Sequence, residues 1–315
     1  MELTRLKSWL LAIGFVVLVA VPPLVTALDE TFYITLISRV MIFAIAALSL
    51  DIILGFGGMI SFGHAAYLGL GSYAVGILAF HEITNGWLQL FVAIGGSAVV
   101  AFIIGAICLR TSGIYFIMIT LAMTQLLFFI GISLETYGGD DGLPTDRSEF
   151  AAFIDLGNEW ILFYLILGFL VLCMYISWRL INSRFGMVIR GCHENEARMQ
   201  AIGFPTYRYK LLAFVISGSM CGIAGFLLAN LTEFVTPEFM HWFRSGEIMI
   251  MVLVGGMGTL FGPVVGAFAF LLFEEIISGF TENWPVIFGP LLVLLVLFAK
   301  QGVWGLLPKS KAGDG

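Results

Sequence analysis

Five ionisable residues lie inside or beside long apolar stretches of the sequence: Arg39, Asp51, His64, Glu274 and Glu275. If these stretches cross a membrane, a charge at the bilayer centre costs about 2.5–3.5 kcal/mol, so each position predicts a specific role. Arg39 and Asp51 are about 18 Å apart along one helix, which is too far for them to pair with each other. We expect instead a structural ion pair between Arg39 and either Glu274 or Glu275.

Asp51 and His64 are also the residues that an intramembrane enzyme would have to bring together on a substrate. No sequence motif supports such an enzyme, because His-Glu-x-x-His, Gly-x-Ser-x-Gly and the Gly-x-x-x-x-Gly-Lys-Ser/Thr phosphate loop are all missing from the sequence. We expect Asp51 to be solvated or to cap backbone amides, and His64 to pack or hydrogen-bond rather than to relay protons. The chain is therefore predicted not to be an enzyme.

Two glycine-rich segments interrupt the apolar pattern in similar ways. GFGGMISFGHAAYLGLGSYA begins at Gly55 and VGGMGTLFGPVVGAFAF begins at Val254, and both contain Gly-Gly-Met, then a hydroxyl residue, then an aromatic-Gly pair. The similarity between the two segments is short, and one interpretation is a diverged internal repeat. Glycines in spans free backbone groups that protein or a water-filled cavity must satisfy, and transporters place such discontinuous helices beside substrate paths. The alternative is that the glycines only permit tight helix packing.

These two segments supply our candidates for a translocation path, which are Ser61, Phe62, His64, Tyr67, Gly255, Gly256, Met257 and Thr259.

The segment 181–210 is polar and basic, and it separates two long apolar runs. Good helix formers extend from Glu194 to Ala201, and Gly203 followed by Phe204-Pro205 predicts the end of a helix. We expect a short helix lying against the membrane surface. Such a helix could insert into a cleft on a partner, or it could be an ordinary amphipathic surface element.

The composition indicates which elements position these residues. Of the 315 residues, 60% are apolar or aromatic and only 11% are charged, whereas soluble domains are about 45–50% apolar and 25% charged. A membrane helix needs about 20 apolar residues. The sequence predicts an all-α membrane protein of about ten spans, some broken by glycine, in one transmembrane domain over 1–315. The predicted spans are 8–27, 33–54, 59–80, 87–108, 114–133, 160–180, 211–230, 246–260, 262–279 and 284–300. The first run is longer than a signal-peptide core and is expected to be retained.

The positive charges predict the orientation of these spans. Twelve of the 15 Lys and Arg residues fall on one side: Arg5, Lys7, Arg110, Arg179, Arg184, Arg190, Arg198, Arg208, Lys210, Lys300, Lys309 and Lys311. Since positive loops face the cytoplasm, both termini and the segment 181–210 are predicted to be cytoplasmic, and the acidic loop 133–159 to be external.

The four cysteines have no metal-binding spacing and are expected to be small apolar residues that fill space between helices. No basic run suggests nucleic-acid binding.

Several long motifs resemble one family of transporters. They are GGMISFGHAAYLGLGSY at 57–73, LRTSGIYFIMITLAMTQLLFF at 109–129, YGGDDGL at 137–143, RGCHENEARMQAIGFPTYRYKLLAFVISGSMCGIAGFLLAN at 190–230 and GGMGTLFGPVVGA at 255–267. In this order they resemble the permeases of branched-chain amino acid ABC importers, and the M-type subunit in particular.

The resemblance implies a bacterial inner-membrane heterodimer with an H-type permease, two cytoplasmic ATPase subunits and a periplasmic substrate-binding protein. ATP and Mg would be bound by the ATPases, with no cofactor on this chain. It also implies that the segment 181–210 carries a coupling helix that docks on an ATPase, through Glu194, Glu196, Ala197, Ala201 and Gly203. Met199 and Gln200 stand where the family more often has small residues. The implied candidates for docking the binding protein are Gly138, Gly139, Asp140 and Asp141.

Branched-chain or related apolar amino acids are the substrates that this resemblance implies. The family also includes permeases for urea, short amides and other small metabolites, and the binding protein does most of the selection. A stand-alone secondary transporter or channel is the alternative from a different class. It would transport without ATP and would usually place ionisable residues near the midplane, whereas the charges here lie mostly toward span ends.

Overall fold

The computed structural model describes residues 14–25, 32–150 and 156–280, and also positions 286, 289, 290 and 302. The predicted span 284–300 lies mostly outside the described residues, as do the beginning of the span 8–27 and part of the acidic loop. The predicted all-α class is confirmed over the described residues, where the strands are limited to the two-residue pair β1 (Leu143–Pro144) and β2 (Phe234–Val235).

The described α-helices are α1 Gly14–Val25, α2 Phe32–Leu54, α3 His64–Phe80, α4 Gly86–Cys108, α5 Ile114–Ser133, α6 Glu159–Ile181, α7 Arg184–Ala201, α8 Thr206–Thr232, α9 Trp242–Gly255 and α10 Gly262–Ser278. Among the described residues, five helices are long and apolar enough to cross a membrane, namely α2, α4, α5, α6 and α8. Their bounds lie within two residues of the predicted spans, except that α8 begins five residues before the predicted 211.

Helix α2 is the centre of the molecule. It is apolar on every side, which is typical of a helix surrounded by other helices, and α6, α8, α9 and α10 all pack against it. By contrast, α4 and α5 leave large apolar side chains exposed along much of their length, including Phe91, Phe102 and Phe129. The core therefore lies around α2, α3 and α8, and α4 and α5 present apolar surface outward.

Glycines allow α3 and α8 to pack closely. A Cβ atom at Gly71 would collide with the carbonyl oxygen of Gly222, and one at Gly225 would collide with the carbonyl oxygen of Leu68. Small residues at such positions bring two backbones into contact, as they do at many membrane helix interfaces. The packing interpretation of glycine is therefore correct for these positions.

The acidic loop is fixed to the helices that flank it. Asn230 in α8 accepts a hydrogen bond from the Ser148 amide (2.8 Å), and Arg147 forms an ion pair with Glu233 (2.7 Å). Ser148 also donates its hydroxyl hydrogen to the side-chain carbonyl of Gln89 in α4. These contacts hold the loop over the start of α4 and the end of α8.

Two of the spans that were predicted to be broken by glycine are helical over only part of their range. The predicted span 59–80 becomes helical only at His64, and the predicted span 246–260 stops being helical after Gly255. Gly58 has φ +66° and Gly256 has φ +114°, which are backbone conformations that glycine adopts readily and that end a helix. Residues 55–63 are called break 1 below, and residues 256–261 are called break 2.

Candidate functional site

Break 1 is held inside the protein by hydroxyl side chains of α5. Thr120 Oγ1 accepts a hydrogen bond from the Phe62 amide (3.2 Å), and Thr124 Oγ1 donates to the Phe62 carbonyl (3.1 Å). The two threonines are four residues apart, so they lie on the same face of α5. They replace the backbone partners that Phe62 would have had in a continuous helix.

The start of α3 is stabilised in the same manner. Ser61 Oγ accepts from the Gly63 amide (3.1 Å), and Ser245 Oγ in α9 accepts from the Ala65 amide (2.9 Å). Both serines are fully buried. Break 1 is thus connected to α5, and the first turn of α3 that follows it is connected to α9.

Break 2 has a similar local structure. Thr259 Oγ1 accepts from the Gly262 amide (3.0 Å) and donates to the Gly256 carbonyl (2.9 Å), and α10 begins at Gly262. Thr259 thus lies three residues before the start of α10, as Ser61 lies three residues before the start of α3, and each hydroxyl accepts from an amide at the beginning of its helix. These are the two hydroxyl residues that the sequence places at matching positions after Gly-Gly-Met.

Asp51 joins the two breaks. Its side chain is in α2, is only 1% exposed, and accepts a hydrogen bond from the Gly258 amide of break 2 through Oδ1 (2.9 Å). Gly258 also packs against the backbone of Gly55, the first residue of break 1. Of the two roles expected for Asp51, capping a backbone amide is the one observed.

His64 and Tyr67 lie inside the protein between α3 and α8. Ser217 donates its single hydroxyl hydrogen to the carbonyl of Ser49. The His64 ring nitrogen Nε2, 2.7 Å from Ser217 Oγ, is therefore the donor in that bond. The Tyr67 ring packs edge-on against His64 and Phe214. This is the packing and hydrogen-bonding role expected for His64.

The other path candidates differ in how much surface they expose. Met257 is 52% exposed, and Phe62 and Thr259 are half-buried, whereas Ser61, His64 and Tyr67 are enclosed by the chain. Ile60, which the sequence did not single out, is 42% exposed in break 1. Each break therefore offers one well-exposed apolar side chain, Ile60 or Met257. The role of all these residues in a path stays a prediction.

The polar helix α7 is longer than predicted and contains a kink. It begins at Arg184, ten residues before Glu194, and Asn195 inside it has a non-helical backbone (φ −160°, ψ 97°). The Asn195 side chain accepts from the Arg198 amide (2.9 Å) and so caps the second half of α7. The predicted stop is confirmed, because Gly203 has φ +97° directly after the helix.

The candidate coupling residues are distributed around this second half. Glu194, Ala197, Ala201 and Gly203 are exposed, whereas Glu196 forms an ion pair with Lys210 of α8 (2.5 Å). Two exposed apolar residues, Ile202 and Phe204, lie beside them. These two are not among the residues predicted from the sequence. Their apolar character on either side of Gly203, within an otherwise polar segment, could have indicated them.

A cavity of about 170 Å³ lies between break 1, the α4–α5 turn and α7. Its lining includes Met59, Phe116, Cys192, His193 and Lys210. Burial raises the pKa of the Cys192 thiol, an effect that the nearby Lys210 ammonium partly offsets and the Glu196 carboxylate reinforces. Break 1 and the polar segment, which the sequence treats separately, are therefore neighbours.

The remaining candidates lie elsewhere on the chain. Asp140 and Asp141 are exposed in a tight turn in which Gly138 and Gly139 have φ +92° and +51°. The Arg39 guanidinium lies over the Phe43 ring, 5.9 Å from its centroid.

Arg39 lies in α2, and Glu274 and Glu275 lie in α10, which packs against α2. Arg244 in α9 forms an ion pair with Glu247 at 2.9 Å. The predicted ion pair of Arg39 with Glu274 or Glu275 stays a prediction.

Comparison with known proteins identifies the family. Residues 32–299 match the family model described as branched-chain amino acid transport system / permease component. The LivM permease of a high-affinity branched-chain amino acid transport system from Salmonella typhimurium is 28% identical over 295 residues, which cover 86% of this chain and 69% of the relative. The LivH permease from Escherichia coli is 25% identical over 285 residues, covering 84% and 91%. A probable LivM from Methanocaldococcus jannaschii is 24% identical, covering 88% and 94%.

No solved structure matches the chain. The family match covers both breaks, α7 and the acidic loop. The LivM relatives from the two enteric bacteria are 26–28% identical to this chain, whereas the LivH relatives from the same bacteria are 24–25% identical. This multi-pass membrane protein therefore belongs to the permease family of branched-chain amino acid transport systems, as a permease of the M type.

Proposed function

We propose that this chain is one half of the membrane channel of an ATP-driven importer, and that it translocates branched-chain or related apolar amino acids. The observation that carries the proposal is the pair of breaks, 55–63 and 256–261, joined through Asp51 and each presenting one exposed apolar side chain. Discontinuous helices of this kind accompany substrate paths in transporters. The exposed surfaces of Ile60 and Met257 suit an apolar substrate side chain.

In this proposal the chain is a single permease domain of ten spans in the bacterial inner membrane, with both termini in the cytoplasm. The helix α7 then lies in the cytoplasm and the acidic loop lies outside. The support is the distribution of charge, because the segment 181–210 is basic and the loop 133–159 is acidic. The loop's exposed turn at Asp140 and Asp141 is then the docking surface for a periplasmic binding protein.

The energy would come from two ATPase subunits, which hold ATP and Mg, so that this chain needs no cofactor of its own. The second half of α7 and the residues at its two ends supply the docking surface for one ATPase, through Glu194, Ala197, Ala201 and Gly203, with Glu196 and Ile202 beside them. This group combines exposed small, charged and apolar residues on a short capped helix. A compact helix of this kind fits a cleft on a partner as a rigid body.

The second half of the channel would be an H-type permease, and lipid would cover the remaining apolar surface. ATP binding closes the ATPase pair and moves α7, and the spans around the two breaks rock so that the path opens to each side in turn. No covalent chemistry takes place on this chain. Its contribution is to convert a rigid-body push into a change of access.

The test is reconstitution of the chain with its sister permease and its two ATPases in proteoliposomes. Uptake of leucine is expected only with ATP on the ATPase side and the cognate binding protein on the opposite side. Urea and a short amide, offered with the same components, test the alternative substrates in the family. Uptake that proceeds without ATP or the binding protein would instead support a stand-alone secondary transporter or channel.

A further inference from the structure

The imidazole of His193, in the first half of α7, lies directly against Gly58 of break 1. A Cβ atom at Gly58 would collide with the ring carbons and Nε2 of His193. Gly58 has φ +66°, a backbone conformation that glycine adopts readily. The contact therefore depends on glycine twice, for its backbone conformation and for the space that its missing side chain leaves to the ring. The contact between α7 and break 1 is therefore made by the His193 ring and the backbone of Gly58.

The contact between His193 and Gly58 has an open space on one side and tightly packed protein on the other. The cavity of about 170 Å³ adjoins His193 and Gly58, whereas beyond Gly58 the break is tightly held. Phe62 is bonded to Thr120 and Thr124, and Gly55 packs against Gly258. Since close-packed interiors transmit displacement, a shift of Gly58 would be passed on to Phe62 and to break 2.

The kink in α7 lies beside the same contact. Asn195 separates His193 from Glu196, which is tied to α8 through Lys210 at 2.5 Å. The two halves of α7 therefore have different attachments, one to break 1 and one to the start of α8. A change in the angle at Asn195 would therefore move the half of α7 that touches break 1 relative to the half that is tied to α8.

We propose that His193 is the positioning residue through which movement of α7 reaches the translocation path, by pressing on or releasing Gly58 at the edge of the cavity. This inference rests on the proposed function, since it assigns the route between ATPase docking and the two breaks. The chemistry required is steric only, because a flat ring is packed on a glycine backbone. The cavity supplies the space for a second arrangement of the two groups.

The test compares His193→Ala with Met187→Ala, an exposed residue in the first half of the same helix, in the reconstituted four-subunit importer. For His193→Ala, transport is expected to fall about 2- to 30-fold while ATP hydrolysis stays within twofold, so that more ATP is consumed per substrate. A parallel fall in both activities would indicate a structural role and overturn the proposal. An unchanged ratio would overturn it as well. Met187→Ala should leave both activities unchanged.

A second measurement uses Cys192, which lines the cavity, and does not depend on substrate identity. Maleimide labelling of Cys192 is expected to change between the nucleotide-free complex and the complex trapped with ATP, and His193→Ala should abolish that difference. Labelling that is independent of nucleotide in the unmodified complex would overturn the inference. Failure of the proposed substrate would appear separately, as missing leucine uptake in a complex whose Cys192 labelling still responds to nucleotide.

The reciprocal variant tests the contact itself. Gly58→Ala should collide with His193 and reduce the yield of assembled complex, and adding His193→Ala should recover part of that loss. The recovery is expected to be incomplete, because alanine is still disfavoured at φ +66°. No recovery at all in the double variant would contradict a direct contact between these two residues.

Discussion

At the scale of single residues, Asp51 has the most specific role. It is a buried acidic residue within a span, and one oxygen accepts the hydrogen bond from Gly258 at 2.9 Å. Asp51→Leu removes that acceptor and is expected to destabilise the folded protein by about 1–3 kcal/mol. Asp51→Asn keeps a carbonyl oxygen at the same place and should lose much less. Thermal unfolding in detergent checks this, and equal midpoints for the two variants would contradict the capping role.

Cys192 gives a prediction on pH. Because burial raises the pKa of its thiol, less of the reactive thiolate is present at neutral pH than for an exposed cysteine. Maleimide labelling should therefore be slow at pH 7 and should increase as the pH rises above the ordinary thiol value of 9.0. Mass spectrometry of the labelled peptide gives the rate, with a cysteine introduced at exposed Ala197 as the reference. Equal rates for both positions at pH 7 would contradict the buried setting.

The sequence was sufficient to predict what kind of role each of these residues has, but not its partner. A charged side chain near the end of a span predicted that Asp51 is either solvated or caps backbone amides, and capping is the role that the structure shows. That the amide belongs to Gly258, more than two hundred positions away, depends on how α2 packs against break 2. The same holds for His64 and Ser217, whose contact requires α3 and α8 to approach closely.

At the scale of elements, break 1 depends on α5. Thr120→Val keeps the shape of the side chain but leaves the Phe62 amide without its acceptor, which is expected to cost about 1–3 kcal/mol. Thr120→Ser retains the hydroxyl and is the matched control. Stability is measured in detergent, and transport is measured in proteoliposomes. If the valine and serine variants behaved alike, the hydroxyl of Thr120 would not be what holds break 1.

The close contact of α3 with α8 gives another prediction at this scale. Gly225→Ala places a methyl group on the Leu68 carbonyl, so that the helices must move apart at a cost of about 1–3 kcal/mol. Gly168→Ala in α6 is the control, because nothing lies within 4 Å of a Cβ atom there. Thermal unfolding should separate the two variants. Since alanine has a higher helix propensity than glycine, propensity alone would stabilise both variants. A destabilisation of the same size in both would therefore contradict the specific contact between Gly225 and Leu68.

Hydropathy predicted most elements because length and apolar character suffice to define a span. The Gly-Gly pairs predicted that these spans are broken, but hydropathy did not place the helix ends there, because Met59, Ile60 and Phe62 have the apolar character of a helix and yet lie outside one. What keeps them non-helical is a left-handed glycine and two threonines of another helix. The kink at Asn195 was missed for a related reason, because an asparagine in a polar segment indicates neither a cap nor a helix interior until its neighbours are placed.

At the scale of the whole molecule, the orientation in the membrane is the property that links every part of the proposed mechanism. Docking of an ATPase on α7 requires that helix to be cytoplasmic, and docking of a binding protein requires the acidic loop to be external. In a chain with Cys192 replaced by alanine, a cysteine at exposed Asp140 should react with a membrane-impermeant maleimide in intact spheroplasts. A cysteine at exposed Ala197 should react only after the membrane is opened.

The expected difference follows from charge, since Arg184, Arg190 and Arg198 all lie in α7 and resist transfer across the membrane during insertion. Labelling of both cysteines from the same side would require an even number of spans between the loop and α7, and it would remove either ATPase docking or binding-protein docking from the mechanism. The reverse pattern would place α7 outside the cell. In that case the exposed surface from Glu194 to Gly203 could not be reached by any cytoplasmic ATPase, however well the family resemblance fits.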